Sequence, residues 1–124
     1  MTVSMSLEVE VGVSIRDICS VFLDFGAEVC SDDEVLTGCL GLFNTYFVFR
    51  GSGEVDEVVA EGANVFWLVG IRGVFHCPIG TLGDSYDEIR VFLRFLSGRI
   101  SSNFLLSFQY EDIYVVRDEG ALNF

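Results

Sequence analysis

A chain of 124 residues, 51% hydrophobic and 21% charged, carries enough apolar material for one domain with a single core over residues 1–124, which excludes general disorder. Its 19 acidic residues outnumber its 7 basic ones, and the formal net charge of −12 disfavours nucleic acid and anionic membrane surfaces as partners. No apolar run approaches the roughly 20 residues of a membrane span, and no secretion signal is recognisable at the N-terminus, so the sequence predicts a cytoplasmic protein.

The first two elements are predicted from alternation and capping. Leu7 to Val13 alternates apolar and acidic residues, which predicts a half-buried strand whose two glutamates face solvent. Ser14 suits an N-cap with Asp17 three residues later, and apolar residues then recur at helical spacing as far as Gly26, a natural stop. The sequence therefore predicts a helix over residues 14–26.

The segment from Glu28 to Gly41 is ambiguous. Residues 31–34, SDDE, predict a turn or an exposed loop and could also cap a short helical turn. Gly38 and Gly41 interrupt any long element here, so no strand is predicted.

A second strand is predicted from Leu42 to Arg50 because aromatic and β-branched residues alternate there. Gly51-Ser52-Gly53 is expected to end it. Residues 54–62, EVDEVVAEG, predict either a short helix or a loop, and in both cases a negative segment next to the strand.

The stretch from Val65 to Cys77 predicts the central strand of one antiparallel sheet. Apolar residues on both of its faces indicate that at least its first half is covered on both sides or by neighbours. Gly70 and Gly73 predict a bulge or a close approach of another backbone, and Pro78 ends the strand because proline cannot donate to the ladder.

A second helix is predicted from the capping box Ser85–Glu88 to Gly98. Phe104 to Arg117 then closes the sheet, with its alternation disturbed at Glu111-Asp112. The disturbance is compatible with a bulge in one long strand or with a hairpin turn, and the absence of glycine and asparagine favours the bulge. The tail from Asp118 to Phe124 is expected to be only partly ordered.

The predicted order is strand, helix, strand, strand, helix, strand. This order is typical of a ferredoxin-like α+β domain, in which two helices pack on one face of a four- to six-stranded antiparallel sheet arranged β-α-β-β-α-β.

The sequence points away from catalysis. His76 is the only histidine, and its neighbour Cys77 should point to the opposite face of a strand, so a Cys–His nucleophile is disfavoured against a packed histidine. The four cysteines lack zinc spacing and are predicted to be free thiols, while Asp32, Asp33 and Glu34 lack the pattern of a calcium loop. We therefore predict no enzyme activity, no cofactor and no metal site.

Acidic residues and tyrosines form the candidate binding residues. The acidity has two explanations, since it could only keep a Phe-rich chain in solution or could form a binding face for a cationic partner. Exposed tyrosines among carboxylates are typical of a protein interface, although Glu111-Asp112 could equally be a solvated bulge. The predicted partner-binding residues are Asp32, Asp33, Glu34, Glu54, Asp56, Glu57, Glu61, Tyr110, Glu111, Asp112 and Tyr114. Tyr46, Phe47 and Phe49 could instead be aromatic side chains on which RNA bases stack. No basic rim accompanies them, so they are predicted to be core residues.

Residues 104–122, FLLSFQYEDIYVVRDEGAL, together with the small, acidic and Phe-rich character of the chain, resemble small bacterial immunity proteins of polymorphic-toxin and contact-dependent growth inhibition systems. The resemblance implies a protein that binds one cognate toxin domain and blocks it, often by covering a basic nuclease active site. It transfers no individual contact residue to this chain.

Three functions from different classes follow. The first is an immunity protein that neutralises a basic toxin domain, and the second is a general interaction module, which could form a homodimer through an uncovered sheet face. The third is a small-molecule-binding or enzymatic domain, which requires a concave pocket with convergent polar groups.

Overall fold

The computed structural model describes residues 2–32, 34–41, 43–118 and 121–124, and the side chains of all of these except 52–54. Within them the chain forms eight strands and two α-helices. In chain order the elements are β1 (Thr2–Glu10), α1 (Ile15–Phe25), β2 (Glu28–Asp32), β3 (Val35–Cys39), β4 (Tyr46–Asp56), β5 (Val69–Pro78), a 3-10 turn (Ile79–Thr81), α2 (Leu82–Arg99), β6 (Phe104–Phe108), β7 (Asp112–Asp118) and β8 (Ala121–Asn123).

All strands of the described residues belong to one antiparallel sheet with the order β2-β3-β4-β5-β1-β6-β7-β8. The predicted ferredoxin-like arrangement on four to six strands is therefore wrong. The added strands come from a hairpin of β2 and β3 directly after α1 and from a C-terminal meander in which β6, β7 and β8 pair in succession. The prediction that β5 lies at the centre is confirmed, although the strand begins at Val69 and not at Val65.

Both helices lie against one face of the sheet, here called the helix face, and together they bury the main core. Alternate residues of the central strands point to this face, because the side chains of a strand alternate between its two sides. The centre of the core is a phenylalanine stack in which the Phe22 ring lies 3.9 Å from Phe47 and 4.2 Å from Phe92, measured between ring centroids. Phe47 and Phe49 are fully buried as predicted, whereas Tyr46 is exposed on the opposite face.

The two helices differ in how well their ends were predicted. The first is capped as expected, because Ser14 and Asp17 form a reciprocal capping box and Gly26 adopts the left-handed conformation at the other end. The second begins at Leu82, three residues before the predicted capping residue Ser85, whose hydroxyl is buried inside the helix. Its end also differs, since the helix continues through Gly98 to Arg99.

Two glycines of β5 lie where a side chain would collide with a neighbour; the predicted bulge and close backbone are found at Gly70, whereas at Gly73 the neighbour is a side chain. A Cβ on Gly70 would lie 2.8 Å from the Cα of Val11, and the pairing of β1 with β5 shifts register at this point. A Cβ on Gly73 would lie 2.4 Å from the ring of Phe49, which packs flat over the glycine backbone.

Two further predictions about the chain course are wrong. Glu28–Asp32 and Val35–Cys39 pair as strands of a hairpin, and β4 continues past Gly51 to Asp56. In the tail, residues 121–123 pair with β7, and Arg90 and Arg94 lie over the ring of Phe124. No helix in the described part of the chain has the length and apolar character needed to cross a membrane.

Candidate protein-interaction surface

The loop of residues 57–68, which joins β4 to β5, lies on the face of the sheet opposite the helices, here called the second face. Trp67 and Ala60 are buried there against Leu105 of β6 and Val69, forming a small second core. Burial alternates along the end of the loop, with Trp67 inward and Phe66 and Leu68 outward. The predicted alternation is thus correct, but the backbone here forms no strand.

A buried carboxylate fixes the first half of this loop to the sheet. Glu8 of β1 is 0% exposed, and its two carboxylate oxygens accept hydrogen bonds from the amides of Val59 at 2.8 Å and Ala60 at 3.1 Å. The prediction that the glutamates of β1 face solvent is wrong for Glu8, because the loop covers this part of the second face. A charge-assisted hydrogen bond of this kind holds a loop more firmly than a neutral one.

Arg72 of β5 compensates the buried charge. Its Nη2 lies 3.5 Å from the Oε2 of Glu8, while Nη1 donates to Asp56 at 3.3 Å and Nη2 donates to the backbone oxygen of Glu57 at 2.9 Å. One guanidinium therefore links the centre of the sheet, the end of β4 and the start of the loop.

The turn between β6 and β7 holds the loop near its middle. The amide of Glu61 donates to the backbone oxygen of Tyr110 at 2.7 Å. Gln109 and Tyr110 have φ angles of 50° and 62°, a left-handed conformation that costs non-glycine residues free energy. The predicted bulge at Glu111-Asp112 is therefore wrong, because a hairpin turn lies here. The register shift of the β6–β7 pairing lies beside it, at Tyr114.

The outward side chains of the loop form an apolar projection. Phe66 is 96% exposed, and Val59, Leu68 and Val11 are also exposed. The amide of Val11 donates to the backbone oxygen of Leu68 at 2.8 Å, which ties the projection to the end of β1. The expectation that this stretch is covered on both faces is wrong, because only the Trp67 side is covered.

Exposed carboxylates lie in the same loop, at the end of β4 and in the adjacent hairpin turn. We call the exposed side chains of the loop and of the adjacent hairpin turn the acidic loop surface. Arg72 is the cation built into this surface, and it is already paired with Glu8 and Asp56. The members of the surface are Val59, Phe66, Leu68, Asp56, Glu57, Glu61, Glu111 and Asp112.

The structure brings only part of the predicted set together. Asp32 and Glu34 lie at the β2–β3 hairpin, at the opposite end of the strand order from β6 and β7. Tyr114 packs beside Tyr86 and Phe108 on the helix face, with ring centroids 5.4 and 6.3 Å away. Asp33 lies outside the described residues, as does the side chain of Glu54.

Sequence reasoning did not identify the exposed apolar residues of the loop, above all Phe66. The sequence shows that Phe66 lies in an alternating apolar run, but it does not show which side of that run stays exposed to solvent. The hydrophobic pattern alone does not distinguish a strand covered on both faces from a loop covered on one.

The other candidate groups do not converge. Cys77 is buried in the main core, and burial raises the pKa of its thiol to about 11. His76 points to the second face, where its Nδ1 lies 3.2 Å from the Oγ of Ser4. The predicted opposition of the two side chains is thus confirmed. Among the described residues, no three His, Cys, Asp or Glu side chains are grouped so as to hold a metal ion.

Comparisons with protein-family models, with curated proteins and with solved structures return no match for this chain.

Proposed function

We propose that this chain is a non-enzymatic inhibitor that binds a basic protein domain, a nuclease toxin, through the acidic loop surface. The observation that carries the proposal is Phe66, which is 96% exposed in a loop that also presents the exposed carboxylates of Glu57 and Glu61. A large aromatic side chain held in water has no benefit for the isolated fold. Aromatic anchors within a polar rim are the usual energetic centre of a protein interface.

The charge of the surface specifies the partner. With −12 overall, the chain attracts a cationic domain over long range, and the carboxylates beside Phe66 would face that domain on contact. A nuclease must be basic where it holds phosphate, so an acidic surface of this kind is suited to cover such a site. The resemblance of residues 104–122 to bacterial immunity proteins supports the same class of partner.

The anchoring of the loop supports a binding role. Glu8, Arg72 and the Tyr110 backbone hold the loop before any partner arrives. A surface that is already ordered loses less conformational entropy on association, which favours tight binding. The strained turn at Gln109 and Tyr110 is the structural cost of this arrangement.

Self-association through the same surface is disfavoured. Two copies facing each other would bring together two sets of carboxylates with no free cation between them, and like charges across an interface oppose binding.

Co-expression with the toxin domain encoded by the neighbouring gene tests the proposal. We expect survival of the cells and a stable one-to-one complex with the wild-type chain. Phe66→Ala should abolish rescue, because it removes the anchor without touching either core. Leu23→Ala is the matched control, since Leu23 is an exposed apolar residue of α1, 57% exposed, far along the chain from the loop. Failure of the wild-type chain to rescue, or full rescue by Phe66→Ala, would contradict the proposal.

A further inference from the structure

A part of the second face that the loop leaves open carries an ordered stripe of side chains. Strands β4 and β5 place three cross-strand pairs there, each with both side chains pointing away from the helices. Along the strands the pairs are an aromatic pair, an aliphatic pair and a pair of arginines: Tyr46 with His76, Val48 with Val74, and Arg50 with Arg72. We call these six residues the β4–β5 stripe.

The arginine pair is unusual for so acidic a chain. Like charges directly opposite each other destabilise a sheet, and this chain has only seven arginines and no lysine. Arg72 is neutralised by Glu8 and Asp56. Arg50 is exposed and, within the described part of the chain, forms no ion pair. A guanidinium is thus left available next to a second one.

The stripe lines a cavity. The space next to it has a volume of about 470 Å³, bounded by Val48, Arg50, Arg72, Val74 and His76 together with Gly51. A volume of this order suits a small organic molecule. The two valines are half-buried and form its apolar floor, so the cavity has a cationic end and an apolar middle.

The far end of the stripe is aromatic and held in place. The rings of Tyr46 and His76 lie nearly parallel with centroids 6.0 Å apart, and Ser4 fixes the imidazole from the adjacent strand. From this pair to the arginines is four residues, or about 14 Å along an extended strand. The order of the three pairs therefore matches a molecule with a charged head and an apolar body.

From this arrangement we infer that the β4–β5 stripe binds a small amphipathic organic anion, a monocarboxylate whose head is held by Arg50, next to the already paired Arg72, and whose body lies on Val48 and Val74. Guanidinium groups bind carboxylates through paired hydrogen bonds. A single negative charge meets the local field of Arg50, which no carboxylate neutralises in the described part of the chain, whereas an acidic protein with many charges would be repelled by the −12 of the whole chain. The occupant is thus a small molecule and not an acidic peptide or a second copy of this chain.

The stripe shares Arg72 with the contacts that hold the loop, but Arg50, Val48 and Val74 lie outside the acidic loop surface, and the inference does not depend on the proposed function. Octanoate, octylamine and octanol serve as probes of equal length, with titration calorimetry to measure affinity and amide chemical shifts to locate binding. We expect octanoate to bind saturably, with shifts at Val48 and Val74, and to bind more tightly than octanol; octylamine should not bind.

Arg50→Gln should weaken octanoate binding by about tenfold, since it removes a charge-assisted hydrogen bond. Arg16→Gln is the control, because it removes the same charge from an exposed position in the first turn of α1 and should leave binding unchanged. Equal binding of octanoate and octanol, no saturable binding, or full affinity in Arg50→Gln would overturn the inference. A molecular mass that doubles with protein concentration and falls back in Arg50→Gln would also overturn it, since a second copy would then be the occupant.

Discussion

Glu8 and Arg72 lie directly opposite each other on the two central strands, with 3.5 Å between the Oε2 of Glu8 and the Nη2 of Arg72. The pair is on the face away from the helices, where Glu8 is fully buried by the loop of residues 57–68. Both partners also bind that loop: Glu8 accepts from two of its amides and Arg72 donates to its first carbonyl. The pair therefore connects the sheet to the acidic loop surface.

Replacing this carboxylate should release the loop. In Glu8→Gln the amide nitrogen cannot accept the second loop N–H, and Arg72 loses a charge partner, so we expect the free energy of unfolding to fall by about 2 kcal/mol. Urea unfolding measures the loss, and hydrogen exchange should show faster exchange at Val59 and Ala60. Glu34→Gln, at the exposed β2–β3 hairpin, is the control. Unchanged exchange of the two amides would show that Glu8 does not hold the loop.

The close packing over β5 predicts a contrast between two glycines. Gly73→Ala places a methyl group 2.4 Å from the ring of Phe49, which has no room to move in the main core, so we expect a destabilisation of about 1–3 kcal/mol. Gly51→Ala meets no atom within 4 Å and should be neutral or slightly stabilising. Thermal unfolding of the two variants is the measurement, and equal melting temperatures would contradict the packing described here.

Substitutions in the left-handed turn between β6 and β7 should increase the stability of the protein. Asn-Gly is the preferred pair for a turn with two positive φ angles, so Gln109→Asn with Tyr110→Gly should raise the free energy of unfolding by about 1 kcal/mol. Glu111→Gly, at a residue without positive φ, should lower it, because glycine there only adds freedom to the unfolded chain. Chemical denaturation distinguishes the two results. A double variant no more stable than wild type would show that the turn carries no strain.

If the acidic loop surface steers a basic partner, the association rate should depend on salt. Glu57→Gln with Glu61→Gln should slow association several-fold at low ionic strength and much less at high ionic strength, while the dissociation rate changes little. Glu28→Gln with Glu34→Gln makes the same change of charge at the β2–β3 hairpin and should have a smaller effect. Surface plasmon resonance over a salt series measures both rates. Equal slowing by the two pairs would indicate that only net charge matters.

The buried thiol of Cys77 makes stability depend on alkaline pH. Burial raises its pKa from 9.0 to about 11, so the unfolded chain loses this proton first as the pH rises. The stabilisation is therefore complete below pH 9 and is lost between pH 9 and 11, by about 2–3 kcal/mol. Burial also raises the pKa of Tyr86, although the charge of Arg90 lowers it in part. The raised pKa of Tyr86 makes the protein less stable at alkaline pH, as the raised pKa of Cys77 does. Cys77→Ala should flatten the fall of stability between pH 9 and 11, measured by urea unfolding at each pH. An unchanged slope would assign the effect to other groups.

Local patterns were sufficient where one short segment contains all the determinants. The helix from Ile15 to Phe25 was predictable because its capping box and its left-handed glycine lie within the segment itself. The β2–β3 hairpin was missed because its strands are short, with β2 mostly exposed and β3 mostly half-buried, so that no regular burial alternation marks them. The start of α2 was misplaced because Ser85 and Glu88 satisfy the capping pattern but lie inside a helix that the 3-10 turn before it extends.

The amino-acid sequence by itself determined the antiparallel central strand, the apolar faces of both helices, the free thiols and the strongly negative charge, because each of these depends on composition or on spacing along one segment. Only the tertiary structure decided that Glu8 is buried, that Phe66 is exposed and that Arg50 lies beside Arg72. These three facts depend on which strands are neighbours and on which face the loop of residues 57–68 covers. Strand order and loop position are set by contacts between residues distant in sequence, which periodicity within a segment does not record.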